Sequence, residues 1–174
     1  GDGNVKVMQE EIKKSLAQEV EKRVKADLKK QVFQLLVDSH DMEIPKSLVS
    51  MEVNRMMQST HENLKKQGAD MNELKLEPEM FNETATKTCK LRIVLATLVE
   101  ENKLEASEEQ IKSKVIEFSA NFDDTEKAEK WFYDDPKRLD EPTALSTEDN
   151  IVEWFLKECV IKSKKVSFDD LMAI

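Results

Sequence analysis

A chain of 174 residues can build one sizeable core, but 39% apolar against 36% charged is thin for a sealed globule and suits exposed helices. Three Gly and four Pro among many Glu, Lys, Leu and Met point to an all-α chain. The net charge of −9 is uneven, with 12 basic and 11 acidic groups in residues 1–67 and 15 against 25 in the remainder, a balance that argues against nucleic acid as partner.

The first element predicted is one uninterrupted helix from Val5 to about Ser39. Met8, Ile12, Leu16, Val20, Val24, Leu28, Val32 and Leu36 form an i, i+4 ladder with no Gly or Pro inside it. Four residues overshoot a helical turn by roughly 40°, so the stripe walks around the axis and no flat partner can cover it. It reads as a spine whose successive stretches meet different neighbours, inside an elongated body.

Pro45 starts the second helix, to about Lys66, with Val49, Val53, Met56, Thr60 and Leu64 on one face and Gly68 as its stop. Met51 and Met57 fall outside that stripe, as on a helix wedged between neighbours or offering a face to a partner. A polar loop from Ala69 to Glu77, with Leu74 and Leu76 as anchors, leads to Pro78 and a third helix to about Glu101. Its Leu91–Val99 half is apolar nearly all round, which predicts burial on most sides at a junction with the spine.

Ser107-Glu108-Glu109-Gln110 fits a capping box for a fourth helix carrying Ile111, Val115, Phe118 and Phe122. Asp123-Asp124 breaks it, and Thr125 is placed as the cap of a short helix bearing Trp131, Phe132 and Tyr133. Five of ten aromatics fall between Phe118 and Tyr133, either as the private core of a helical hairpin or as a binding surface. Pro136 and Pro142 predict a break or kink near Pro142. A last amphipathic helix begins near Thr147 and runs through Ile151, Phe155 and Cys159, then a basic extended stretch Lys162–Val166, then a short turn capped by Ser167.

Chemical machinery is sparse. His40 and His61 lie in polar contexts that read as solvated, and no Glu-x-x-His pair or Gly-rich phosphate loop occurs, so no catalytic residue, metal site or cofactor is assigned. Cys89 and Cys159 read as buried or half-buried free thiols of a reducing compartment. With no run of about 18 apolar residues and no signal-like start, a soluble chain with no membrane partner is expected. A start at Gly1 without Met suggests a piece of something longer.

Taken in order, the Val5–Asp38 helix, Met42-Glu43-Ile44-Pro45, Leu48-Val49, Glu52-Val53, Pro78-Glu79-Met80-Phe81, Leu91–Val99 with Glu100–Leu104, Ser107–Ile111 and Val166–Met172 resemble the C-terminal domain of the bacterial trigger factor family. Gly1-Asp2-Gly3 is similar to the link after that family's prolyl isomerase module. The resemblance covers essentially the whole chain, 1–174. It implies an elongated all-α domain with a long spine helix and two helical-hairpin arms: arm 1 about 45–101, arm 2 about 104–145, and a body from 5–44 and 146–174. Pro136 and Pro142 depart from the family's more continuous helix after arm 2.

By the same resemblance the function implied is ATP-independent chaperoning of unfolded or nascent polypeptides in the cytoplasm. The ribosome would be reached only through an N-terminal domain missing here, prolyl isomerisation would belong to another missing domain, and weak self-association is allowed. A holdase needs dispersed apolar groups, for which flexible methionines and rigid aromatics suit. The client contacts expected are Val53, Met56 and Met57 on arm 1, with Phe118, Phe122, Trp131 and Phe132 on arm 2. Phe118 and Phe122 align with apolar positions of the family's second arm. The competing readings are a helical scaffold for one folded partner, which predicts a single preferred ligand, and the related periplasmic chaperone of outer-membrane proteins, which predicts an export signal.

Overall fold

The computed structural model describes residues 5–68, 76–120, 122–162 and 164–172. The Gly1–Gly3 link and the Leu74 anchor lie outside the described residues. Helices run α1 (Val5–Ser39), α2 (Lys46–Lys66), α3 (Glu79–Asn102), α4 (Glu108–Ser119), α5 (Thr125–Tyr133), α6 (Asp140–Glu158) and α7 (Phe168–Met172), with one 3-10 turn at Pro136–Leu139. No strand occurs among the described residues, so the all-α reading holds. The chain divides into two compact units, Gln34–Leu104 and Gly1–Phe33 with Glu105–Ile174.

In the Gln34–Leu104 unit, α2 and α3 pack on one another. The Cys89 thiol donates to the Leu48 carbonyl at 3.6 Å, while Met56 and Thr60 share a hollow with Phe81 and Thr84, so the two helices run antiparallel. Val53, Ala85, Cys89 and Val94 form the buried seam, with Leu36 and Val37 of α1 also buried. Pro45 is the residue before α2 rather than its first turn, and its carbonyl accepts from Leu48 at 2.9 Å and Val49 at 3.2 Å. Gly68 stops α2 as expected: at φ 78°, a value that suits glycine, its N–H donates to the Lys65 carbonyl. α3 ends at Asn102, one residue beyond the expected Glu101, and the left-handed position after it is taken by Lys103 at φ 53° rather than by a glycine. Burial of Leu91–Val99 on most sides does not hold. Val94 alone is fully enclosed, Ile93, Ala96 and Thr97 face outward, and the segment is a one-sided helix like α2.

In the other unit, the Ser107–Gln110 capping box is present: Gln110 N donates to Ser107 Oγ at 3.3 Å and Ser107 N to Gln110 Oε1 at 2.9 Å. The same Gln110 reaches α6, where its Nε2 donates to Asn150 Oδ1 at 2.6 Å, and Lys114 bridges to Asp149 at 3.0 Å. Small buried residues, Ser119 on α4 and Ser146 on α6, accompany Val115, Pro142 and Ile151 in the core. The cap of α5 is Asp124, whose carboxylate accepts from Lys127 N at 3.1 Å, one residue earlier than Thr125.

Pro142 does not break or kink a helix. It lies in the first turn of α6, where its missing N–H would have had no intrahelical partner, so the helix begins seven residues before the expected Thr147. The arm–body boundary expected at 145 therefore falls inside one continuous helix. Glu148 of α6 pairs with Lys29 of α1. Cys159, at the end of α6, is an exposed thiol rather than a half-buried one.

The ladder on α1 divides sharply. Val32 and Leu36 are buried and Val20 and Leu28 half-buried, but Met8, Ile12, Leu16 and Val24 are exposed, so the early rungs have no covering neighbour among the described residues. Beyond Leu16, local ion pairs join successive turns, Glu19–Arg23 at 3.1 Å and Glu21–Lys25 at 2.9 Å.

Candidate functional site

Two apolar surfaces stand out, one in each unit. On the α2–α3 pair, Met51 and Met80 are the most exposed large apolar side chains, joined by Leu48 and Ile93 on outer faces. Between the helices lies an open hollow of about 590 Å³, with Met56 and Phe81 as its apolar lining and Arg55, Ser59, Thr60 and Thr84 as its polar one. Beside it the buried carboxylate of Glu52 accepts from Arg55 Nη2 at 2.5 Å and from Arg92 Nη2 at 3.2 Å. The Arg55 hydrogen bond, then the Arg92 charge, hold this carboxyl below its usual range despite burial.

Of the residues expected to meet clients here, Met56 and Met57 are half-buried, and Val53 is only 3% exposed. Val53 is corrected to a core residue, because the stripe Val49, Val53, Met56, Thr60, Leu64 is the face turned to α3. Met51, which lies off that stripe, is the outward methionine missed in the expected set. Its signal was its place about 160° around the helix from Val53.

The second surface is the corner where α4 turns into α5. Phe122, just beyond the end of α4, is 58% exposed and Trp131 is 52% exposed; they border a groove of about 450 Å³ edged by Asp123, Asp124 and Lys127. Phe132 is corrected to the core, at 8% exposed. Its ring lies 6.0 Å from Phe118 and 5.2 Å edge-on from Trp131, so Phe118, itself half-buried, packs inward with it. The aromatic cluster is thus divided, with Phe118 and Phe132 inside and Phe122 and Trp131 outside. The Arg138 guanidinium stacks 4.2 Å from the Trp131 ring and donates to the Trp131 carbonyl at 2.6 Å, fixing the indole while leaving it partly open to solvent.

These surfaces offer contact rather than bond-making chemistry. His40 sits with Nδ1 2.7 Å from the Leu36 carbonyl at the end of α1, and His61 is exposed on α2. Among the described residues no group of three or more His, Cys, Asp or Glu could hold a metal ion. Nor, among them, is any helix long and apolar enough to cross a membrane.

Residues 4–157 match the family model described as bacterial trigger factor protein (TF) C-terminus. The chain is 48% identical over 171 residues to the trigger factor of Methylobacillus flagellatus, covering 98% of this chain and 39% of that protein. It is 39% identical over 172 residues to the trigger factor of Laribacter hongkongensis, with 98% and 39% covered. The trigger factor of Chromobacterium violaceum is 36% identical over 171 residues, with the same coverage. The chain thus spans about two-fifths of the length of these relatives. A match to the C-terminal family model over most of the chain means that it belongs to the bacterial trigger factor family and corresponds to the C-terminal region.

Proposed function

We propose that this chain is the client-holding part of an ATP-independent chaperone, binding exposed hydrophobic segments of unfolded or nascent polypeptides in the cytoplasm and so limiting their aggregation. The observation that carries the reading is the dispersal of exposed methionines and aromatics, Met51 and Met80 on one helix pair and Phe122 and Trp131 at one helix corner. Separate small patches bind many sequences weakly without the single large patch that would precipitate the chaperone itself. Met56 and Met57 complete the proposed contact set as half-buried side chains that a client could reach by small rotamer changes.

Covering about 300 Å² of apolar client surface at roughly 25 cal/mol per Å² gives on the order of 7 kcal/mol gross, much of which association costs remove. Each patch alone then binds weakly and releases fast, and engagement of several patches by one client supplies avidity. Neither ribosome contact nor prolyl isomerisation is proposed for this chain.

Light scattering of a chemically denatured model protein diluted into buffer, without nucleotide, tests the reading. The chain suppresses scattering, and both F122S/W131S and M51S/M80S weaken the suppression while helical circular dichroism is unchanged. No protection at several-fold molar excess, or protection of one ligand only, would defeat the proposal in favour of a scaffold for a single partner.

A further inference from the structure

Arg138 stands among acids in the chain, with Asp134, Asp135 and Asp140 within four residues, yet among the described residues it forms an ion pair with no carboxylate. Its half-buried guanidinium goes to Trp131 twice instead, stacking 4.2 Å from the ring centroid and donating to the backbone carbonyl at 2.6 Å. That carbonyl is one of the last four of α5, for which a helix supplies no donor of its own. The chain is bent to allow this. In one continued helix Trp131 and Arg138, seven residues apart, would lie on one face but two turns and about 10 Å from each other, with their side chains parallel. Pro136 forbids that helix, because it has no N–H and its ring would strike the Phe132 carbonyl. Asp135 before it is accordingly extended at φ −137°, ψ 116°, and its carboxylate accepts from Lys137 N at 3.0 Å. The Pro136–Leu139 turn so begun carries Arg138 back over the indole.

We infer that Arg138 is a positioning residue for client capture: delivered by the Pro136 turn, it locks the Trp131 indole in place at the Phe122–Trp131 groove, so that an apolar client side chain meets a ring already set. This rests on the chaperone reading above and names the residue that readies one of its surfaces. The indole is held from two directions, by the guanidinium over one face and by the Phe132 ring 5.2 Å away and edge-on, while its remaining surface lines the groove. An exposed indole without that hold turns about its two side-chain torsions and is free to settle on Phe122, which lines the same groove, covering the apolar area a client would use. A client that finds the ring fixed does not have to order it on binding, and the contact keeps that part of its free energy. Loss of Arg138 therefore weakens holding even though it removes no apolar surface from the groove.

Two measurements on the whole chain test this. In W154F, which leaves Trp131 as the only tryptophan, time-resolved fluorescence anisotropy with no client present reads how far the indole swings. With Arg138 in place the ring tumbles with the molecule; R138M, which keeps an apolar stem but loses the planar cation and its N–H donors, adds a fast local decay. Binding is read with a dye-labelled protein that has been reduced and carboxymethylated, so that it stays unfolded without denaturant. R138M raises its dissociation constant about twofold to tenfold, the range set by immobilising one side chain. R138K, which keeps a cation and a donor, recovers part of the loss, and helical circular dichroism is the same throughout. Placed on W131S, R138M changes the dissociation constant no further, because Arg138 acts through the indole. An R138M indole as still as the wild type's, an unchanged dissociation constant, or an equal loss on W131S, the mark of an arginine that merely supports the end of α5, each overturns the inference while leaving the chaperone reading intact. A wild-type chain that does not bind the unfolded probe at all defeats the chaperone reading, and the inference with it.

Discussion

Replacing Arg55 and Arg92 together by Met strips a buried carboxylate of both its cations. The Glu52 side chain is only 4% exposed, whereas both guanidinium groups reach water. Either ion pair alone is screened at its solvent end, so each single Arg→Met change costs about 1 kcal/mol or less. Losing both leaves an anion between α2 and α3 with no countercharge, for about 3 kcal/mol, the lower end of what breaking a buried pair costs, since Glu52 is near the rim of its seam. Removing the anion instead, with Glu52→Met, leaves two arginines in solvent and changes stability by about 1 kcal/mol at most. The pH dependence supplies a sign. In the wild type the Glu52 carboxyl is held below its ordinary 4.5, so its contribution is present above that value and is lost as pH falls through the lower folded-state value. In R55M/R92M burial acts unopposed and raises the carboxyl, so stability grows as pH falls from neutral toward the raised value. Urea unfolding at about pH 7 and about pH 5, followed by circular dichroism, measures both effects, and amide exchange at Val53, Ala85 and Val94 assigns them to this unit. A double variant that costs no more than its two single changes, or that keeps the wild-type slope with pH, would refute the reasoning.

Two further substitutions probe backbone and core. Lys103→Gly relieves a side chain held at φ 53° and stabilises the end of α3 by about 0.5 kcal/mol, net of the extra freedom glycine gives the unfolded chain; a lower urea midpoint would contradict this. Ser119→Ala removes a fully buried hydroxyl that has no hydrogen-bond partner among the described residues and adds helix propensity, so it stabilises the α4–α6 unit by about 1 kcal/mol in thermal unfolding; destabilisation would mean that the hydroxyl is engaged.

Elements with strong local signals were legible in the sequence. The ladder of α1, the Gly68 stop and the Ser107–Gln110 box are each set by a few neighbouring residues, and the structure reproduces them. The errors arose where position within an element decides the outcome. Pro142 breaks a helix in its middle but starts one in its first turn, and composition alone could not place that turn. Leu91–Val99 looked enclosed because apolar content was read without a partner count; with α2 on one side, Ile93 remains outside. For the candidate surfaces the difficulty was facing. Phe118 and Phe122 share one spacing pattern, yet α4 ends at Ser119, so the pattern no longer fixes where Phe122 points. Val53 was proposed for contact although its own stripe marked it as interior.

The bare early rungs of α1 have an energetic consequence. With Met8, Ile12 and Leu16 facing outward, this stretch keeps its shape much as a free peptide would, by intrinsic propensity instead of enclosure. Its amides should therefore exchange orders of magnitude faster than those near Val32 and Leu36. Shortening the helix from that end would leave the melting temperature of the remainder nearly untouched, so evolution is free to vary its length without risk to the packed parts.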